Sequence, residues 1–284
     1  MVKLGNGGAK MVTSINHKIR LHNGIDMPQF GLGVYKVEDG RVAVDTVKTA
    51  LSLGYRSIDT AAFYDNEEGV GQALKESGIP REEIFVTTKV WNTDQGYEET
   101  LAAFEQSRKK LGVDYIDLYL VHWPVKGKYI HTWKALEKLY QEGVIKAIGV
   151  SNFQIYHLED LFSHANEKPV LNQIELHPLL IQEKVRVFCS ENDIAVEAWS
   201  PIARGNLIEN PILQSIAEKY GKTSTQVILR WHLQNDIIVI PKSVTPARIE
   251  ENADIFNFSL TNEEMEKING LNENKRFGPN PDDF

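Results

Sequence analysis

From His17 onward the chain alternates between short runs of consecutive apolar residues and longer stretches in which apolar residues recur every three or four positions. The first pattern suits strands covered on both faces, and the second suits helices with one buried stripe. In residues 42–53, Val44, Val47 and Leu51 fall at i, i+3 and i+7, with Lys48 and Ser52 outside the stripe. In residues 132–142 the stripe is Trp133, Leu136, Leu139 and Tyr140. Strands are expected over 30–33, 55–59, 84–89, 115–122, 145–150, 170–175, 195–200 and 237–241. The helices that follow them are expected over 41–53, 67–77, 97–110, 132–142, 155–165, 182–191 and 246–254. Two more, 211–220 and 224–235, follow the seventh strand, and a last one covers 262–271. Pro246 in a first turn, and Thr261 ahead of Asn262-Glu263-Glu264, are helix-start signals. Before the alternation begins, Asn23-Gly24 between 17–21 and 25–27 predicts a β-hairpin.

Strict strand–helix alternation demands a parallel sheet, and eight units without an intervening linker close most economically into a barrel. The expected fold is therefore α/β, a (β/α)8 TIM barrel with an N-terminal hairpin and two extra helices. A doubly wound open sheet would favour a G-x-G-x-x-G turn after the first strand. The chain has G-L-G-V-Y-K at 31–36, with no third glycine and no helix starting there. A single domain is expected over 13–284, preceded by a Gly-rich, aperiodic leader over 1–12 that is expected to be flexible.

Composition narrows the function more than the fold. A net charge of −8 argues against a nucleic-acid partner, which wants clustered cations. No apolar run approaches the ~20 residues of a membrane helix, and the first residues lack the apolar core of a secretory signal. A cytoplasmic location with no membrane partner is the expectation. The single cysteine, Cys189, cannot form an intramolecular disulfide or a thiolate cage, and no H-E-x-x-H motif is present, so no metal is expected.

In a barrel of this kind, side chains at the C-terminal strand ends converge on one site. Those positions hold Asp59, Lys89, His122, Ser151-Asn152, Gln173, Trp199-Ser200 and Lys242-Ser243, and Tyr64 follows Asp59 by five residues in a loop. A free tyrosine, with a pKa of about 10, is a poor acid near neutrality. A nearby ammonium lowers that value, a carboxylate beside the lysine keeps it charged, and a histidine can orient a substrate oxygen. Tyr64, Lys89, Asp59 and His122 thus form a device suited to protonating an oxyanion as hydride adds to a carbonyl carbon. Side chains carry no hydride, so a redox cofactor is required. Lys242, Arg248 and the start of helix 246–254 offer a phosphate site for one.

G-Y-R-S-I-D-T-A-A-F-Y (54–64), T-K-V-W-N (88–92), D-L-Y-L-V-H-W-P (117–124), G-V-S-N-F (149–153) and I-P-K-S-V (240–244) resemble the aldo-keto reductase superfamily. The likeness runs from about His17 to Leu271 and is nearest the bacterial diketogulonate and glyoxal/methylglyoxal reductases. It implies the same barrel fold, reduction of small aldehydes and ketones with NADPH (NADP+), and Asp59, Tyr64, Lys89 and His122 as catalytic residues. The resemblance further implies that Ser151, Asn152 and Gln173 hold the nicotinamide carboxamide and that Trp199 stacks on its ring. Gly33 and Val34 are implied neighbours of the cofactor. Ser200, Pro201, Ala203, Gly205 and Leu207 would lie over the pyrophosphate. Pro241, Lys242, Ser243, Val244, Arg248, Glu251 and Asn252 would clasp the adenosine end, with Lys242 and Arg248 favouring a 2′-phosphate.

Tyr35, Trp91, Asn92, His122 and Trp123 are implied around the carbonyl substrate, and a monomer is expected. The tail after Leu271 is short, which implies an open pocket with broad carbonyl tolerance. His177 is expected to be structural. The alternative in the same family is a cofactor-binding regulatory subunit with little turnover.

Overall fold

In the computed structural model, which describes residues 11–284, the hairpin expected around Asn23-Gly24 forms between β1 (Lys18–Arg20) and β2 (Asp26–Pro28). Gly24 takes φ +87°, the left-handed conformation that favours glycine, and Asn23 Oδ1 accepts from the Ile25 N–H. Asn23 Nδ2 also donates to the carbonyl of Lys146, and the His22 ring lies 3.3 Å from the carbonyl of Pro169. Both acceptors precede or begin barrel strands, so the hairpin is pinned across their N-terminal ends. From there Leu21 and Met27 pack against Phe85, Leu118, Leu120 and Leu171, closing the bottom of the barrel with apolar surface.

The elements then alternate as the spacing predicts. They run β3 (Leu32–Gly33), α1 (Arg41–Ser52), β4 (Ser57–Asp59), α2 (Glu67–Glu76), β5 (Phe85–Val90), α3 (Tyr97–Leu111), β6 (Ile116–Val121) and α4 (Tyr129–Gln141). The second half runs β7 (Ile145–Ser151), α5 (Ile155–His164), β8 (Leu171–Glu175), α6 (Glu183–Glu191) and β9 (Ala195–Trp199). Helices α7 (Pro211–Tyr220) and α8 (Ser224–Gln234) precede β10 (Ile238–Val239), α9 (Pro246–Ala253) and α10 (Asn262–Asn269). Strands β3 to β10 pair in parallel in chain order. The ring is closed by Gly31 N donating to Val239 O at 2.9 Å and Val239 N donating to Gln29 O at 3.0 Å. This is a (β/α)8 barrel with a hairpin plug and, in α7 and α10, helices beyond one per strand.

The glycines of G-L-G have a structural use at this seam. A Cβ on Gly33 would stand 2.7 Å from the carbonyl oxygen of Ile240, so only glycine lets β3 approach β10. The helical stripes are buried as expected: Val44, Val47 and Leu51 on α1, and Trp133, Leu136 and Leu139 on α4. Each such side chain contributes about 1.5–3 kcal/mol of burial. Helix α4 starts at Tyr129, three residues before the expected start at 132, and Tyr129 itself is buried against Phe153. Strand β4 is shorter than expected because Tyr55 leaves the ladder and donates its hydroxyl to the carbonyl of Ile249, tying the strand's approach to α9.

The start signals also act as written. Thr261 Oγ1 accepts from Glu264 N while Glu264 Oε2 accepts from Thr261 N, a reciprocal cap on α10. Residues 1–10 of the expected leader lie outside the described residues. Val12, at its end, is buried, and its carbonyl accepts from Arg230 Nη1 at 2.6 Å. No helix among the described residues is long and apolar enough to cross a membrane.

Candidate active site

Lys89, at the C-terminal end of β5, is fully buried, and each of its three ammonium protons has an acceptor. Nζ donates to Asp59 Oδ1 at 2.6 Å, to the carbonyl of Thr60 at 2.9 Å and to the Tyr64 hydroxyl at 3.2 Å. Asp59 ends β4, the neighbouring strand, so strand pairing alone brings the carboxylate to the lysine. Tyr64 arrives by a different route. The segment expected as a loop is a 3₁₀ turn, Ala62–Tyr64, closed by Asp65 in the left-handed region at φ 52°. Buried Asn66 anchors its far end, accepting from Thr60 Oγ1 and donating to the carbonyls of Val34 and Val37. The turn therefore folds back and sets the phenol beside Lys89 Nζ.

The electrostatics differ from the sequence expectation in one respect. Lys89 does pull the Tyr64 phenol down, but burial of the ring outweighs it, and the phenol is pushed up to about 12. Tyr64 is thus a fully loaded proton donor at neutral pH, not a partly ionised one. Burial pushes the Asp59 carboxyl up, opposed by the charge and hydrogen bond of Lys89 and by a hydrogen bond from Gln173. Burial alone would lower Lys89, yet Asp59 and Tyr64 hold it above its ordinary value. The pair is accordingly carboxylate and ammonium. His122, after β6, stands with its ring 5.9 Å from that of Tyr64 at 76°. Burial, and then the charge of Lys89, hold it well below an ordinary histidine, so the imidazole is neutral. Its Nδ1 has no partner among the described residues.

A cavity of about 520 Å³ opens over these groups. Asp59, Tyr64, His122 and Gln173 form its floor, while Tyr35, Phe63, Trp91 and Trp123 stand as aromatic walls. Trp91 is stacked by Phe63 at 3.8 Å between centroids, a contact that the sequence reading did not include. Ser151, Asn152, Trp199, Ser200, Pro201, Lys242 and Gly33 also line the cavity. Asn92 does not line it, and Val34 is wholly buried.

Asn152, at φ 65°, donates to the carbonyl of His122 and accepts from Trp199 Nε1 at 2.8 Å. Ser151 Oγ donates to the carbonyl of Gln173. Beyond β9 the backbone turns sharply, with Ser200, Ala203 and Arg204 all left-handed. Non-glycine residues in that region cost of order 1–3 kcal/mol each, and such strain is typical of segments shaped for a ligand. Pro201, Ala203 and Leu207 are buried under this turn, and Gly205 continues it. On the far side Lys242, Val244 and Arg248 are exposed at the start of α9, where neither cation has an ion pair among the described residues. Pro241 and Asn252 are buried beneath them. Ser243 Oγ accepts from Thr245 N, and Glu251 accepts from Thr223 Oγ1.

The expectation of an open pocket is corrected by the tail. Phe284 stacks on Trp123 at 4.3 Å, and Pro279 also lines the cavity. The tail is held by Glu175, which accepts from Phe277 N at 2.7 Å and Gly278 N at 3.0 Å, and by Tyr156, which donates to Asp282. A Cβ on Gly278 would come within 2.2 Å of the Trp199 ring, so glycine alone allows the crossing. His177 is structural, as expected: it is buried, with Nε2 3.0 Å from Glu175 Oε1. No group of three metal-ligating side chains is found among the described residues.

Residues 29–273 match the family model described as "Aldo/keto reductase family". The chain is 58% identical over 274 residues to the "Glyoxal reductase" of Bacillus subtilis (strain 168), covering 96% of this chain and 99% of the relative. It is 48% identical to "Methylglyoxal reductase DkgA" of Escherichia coli (strain K12), covering 94% and 97%. Among solved structures, a mutant of Gox0644 in complex with NADPH superposes with a TM-score of 0.90 at 45% identity, covering 94% of this chain and 98% of that one.

Proposed function

Because the chain belongs to the aldo/keto reductase family, we propose that it reduces small aldehydes and ketones with NADPH. Glyoxal- and methylglyoxal-type dicarbonyls are its substrate class, and Tyr64 is the proton donor. The observation that carries this reading is the continuous chain from Asp59 through Lys89 to the Tyr64 hydroxyl, ending at a cavity with aromatic walls.

The residues present fit the cofactor. Among the described residues Gln173 leaves its amide oxygen without a partner at the cavity wall, Trp199 lies half-buried beside it, and Lys242 and Arg248 are cations without an ion pair at a helix start. A 2′-phosphate would meet those two cations, which supports NADPH over NADH. When bound, the nicotinamide supplies the hydride. The protein's own part is to place the carbonyl and move one proton. His122, neutral and facing the cavity, fixes the carbonyl oxygen by a hydrogen bond. Tyr64 then gives its proton to that oxygen, and the phenolate left behind is stabilised by Lys89 Nζ at 3.2 Å. The aromatic walls exclude water and suit a small, partly apolar carbonyl compound. We further propose that residues 13–284 act as one domain, in the cytoplasm and as a monomer.

Steady-state assays with methylglyoxal test the proposal. Sustained turnover with NADPH, and much weaker turnover with NADH, is expected. Arg248→Ala should raise the KM for NADPH about tenfold, the worth of one charge-assisted hydrogen bond, and leave that for NADH unchanged. A single slow, near-stoichiometric oxidation of NADPH would instead identify a binding subunit.

The pH profile gives a second check. Ordinary histidine loses its proton near pH 6.5, but His122 is held well below that. It therefore stays neutral as pH falls through 6.5, while Tyr64 stays protonated until pH rises towards about 12. The kcat/KM for reduction should show no inflection between about pH 5.5 and 7.5. An inflection near 6.5 that disappears in His122→Asn would overturn the assignment of a neutral imidazole.

A further inference from the structure

Glu197, in the middle of β9, is buried and points into the barrel below the candidate site, paired in register with Gln173 of β8. Gln173 Nε2 donates twice, to Asp59 Oδ2 at 2.8 Å and to Glu197 Oε1. Its own Oε1 has no partner among the described residues and lies at the cavity wall. A primary amide has two N–H donors on one side and an acceptor on the other, so whatever holds the nitrogen decides which end faces the cavity. Asp59 is committed to Lys89 and presents only an acceptor to Gln173. Glu197 supplies the second acceptor.

We propose that Glu197 is a positioning residue: together with Asp59 it clamps the Gln173 amide by its nitrogen, so that the amide oxygen is the atom offered to the cofactor. Such an oxygen accepts from the N–H of a carboxamide. The inference rests on the NADPH-binding reading above and adds the direction of the hydrogen bond and the residue that sets it. Among the described residues no cation is free to balance an ionised Glu197, since the three protons of Lys89 go to Asp59, Thr60 and Tyr64. Its Oε2 is buried without a partner among the described residues. Burial first, and then the charge of Asp59, push this carboxyl up to about 8, against a hydrogen bond from Gln173 and the charge of Lys89. Burial thus favours the neutral acid at this position, and an amide can replace it as an acceptor.

The test compares NADP+ with its 3-acetylpyridine analogue, which has a methyl ketone in place of the carboxamide and so no N–H to offer. Isothermal titration calorimetry is run on the full chain and on Glu197→Met and Glu197→Gln. Methionine matches the length of the acid and removes the acceptor. E197M is expected to weaken NADP+ binding about tenfold, one hydrogen bond of this kind, and to leave the analogue within twofold. E197Q should recover most of the NADP+ affinity. Equal loss for both ligands in E197M, no loss for either, or E197Q as weak as E197M would each overturn the clamp. Failure of the unsubstituted protein to bind NADP+ would instead remove the cofactor reading itself.

Discussion

Replacing Tyr64 by phenylalanine is expected to lower kcat for carbonyl reduction by about 10²- to 10⁴-fold, the usual worth of a positioned general acid. NADPH affinity should be kept. The substitution removes one oxygen and leaves the ring against Tyr35 and beneath His122. The lost hydroxyl is one of three acceptors of the Lys89 ammonium, and the cavity lets water take its place. Stopped-flow measurement of NADPH oxidation with methylglyoxal reads the chemical step directly. A Tyr64→Phe protein with near-normal turnover would show that the proton comes from elsewhere, and His122 would be the next candidate.

Lys89→Met is expected to have the largest effect on stability. It leaves the Asp59 carboxylate buried, with only Gln173 donating to it. Breaking a buried pair by removing one partner costs about 3–5 kcal/mol. Urea unfolding should show that loss as a lower midpoint with an unchanged slope. The double variant Asp59→Asn/Lys89→Met removes the orphaned charge and should recover much of the stability, because coupled neighbours are strongly non-additive. It should recover none of the activity, since the phenolate formed on Tyr64 would still lack its counter-charge. If the double variant is as unstable as the single one, packing of the lysine stem, not charge, is what Lys89 contributes.

The repeating part of this molecule was legible from periodicity, and the parts made by distant contacts were not. The eight strand–helix units appear within a few residues of their expected bounds, because a buried strand and an amphipathic helix each carry a local pattern. Asp59, Lys89 and His122 could be found because a parallel barrel gathers strand ends. The elevation of Tyr64 could not be anticipated, because it depends on how far the 3₁₀ turn carries the ring out of solvent. Phe63 reads as an ordinary loop aromatic until the turn stacks it on Trp91. The tail's return to Trp123 spans some 160 residues and leaves no local trace in the sequence. Glu197 reads as one polar residue in an apolar strand. A signal was nonetheless available: it stands two residues before Trp199, so both project to the same side of β9, into the barrel.

The saturation of Lys89 has a chemical consequence for the dicarbonyl reduction proposed above. Such compounds form imines and glycation adducts with amines that are reachable and at least briefly deprotonated. Lys89 lies beside the cavity where they are held, yet its nitrogen is fully buried and held above its ordinary pKa, and every proton is engaged. It has no lone pair to offer. The same three contacts that let it support Tyr64 therefore also protect it from imine formation with a dicarbonyl held in the cavity.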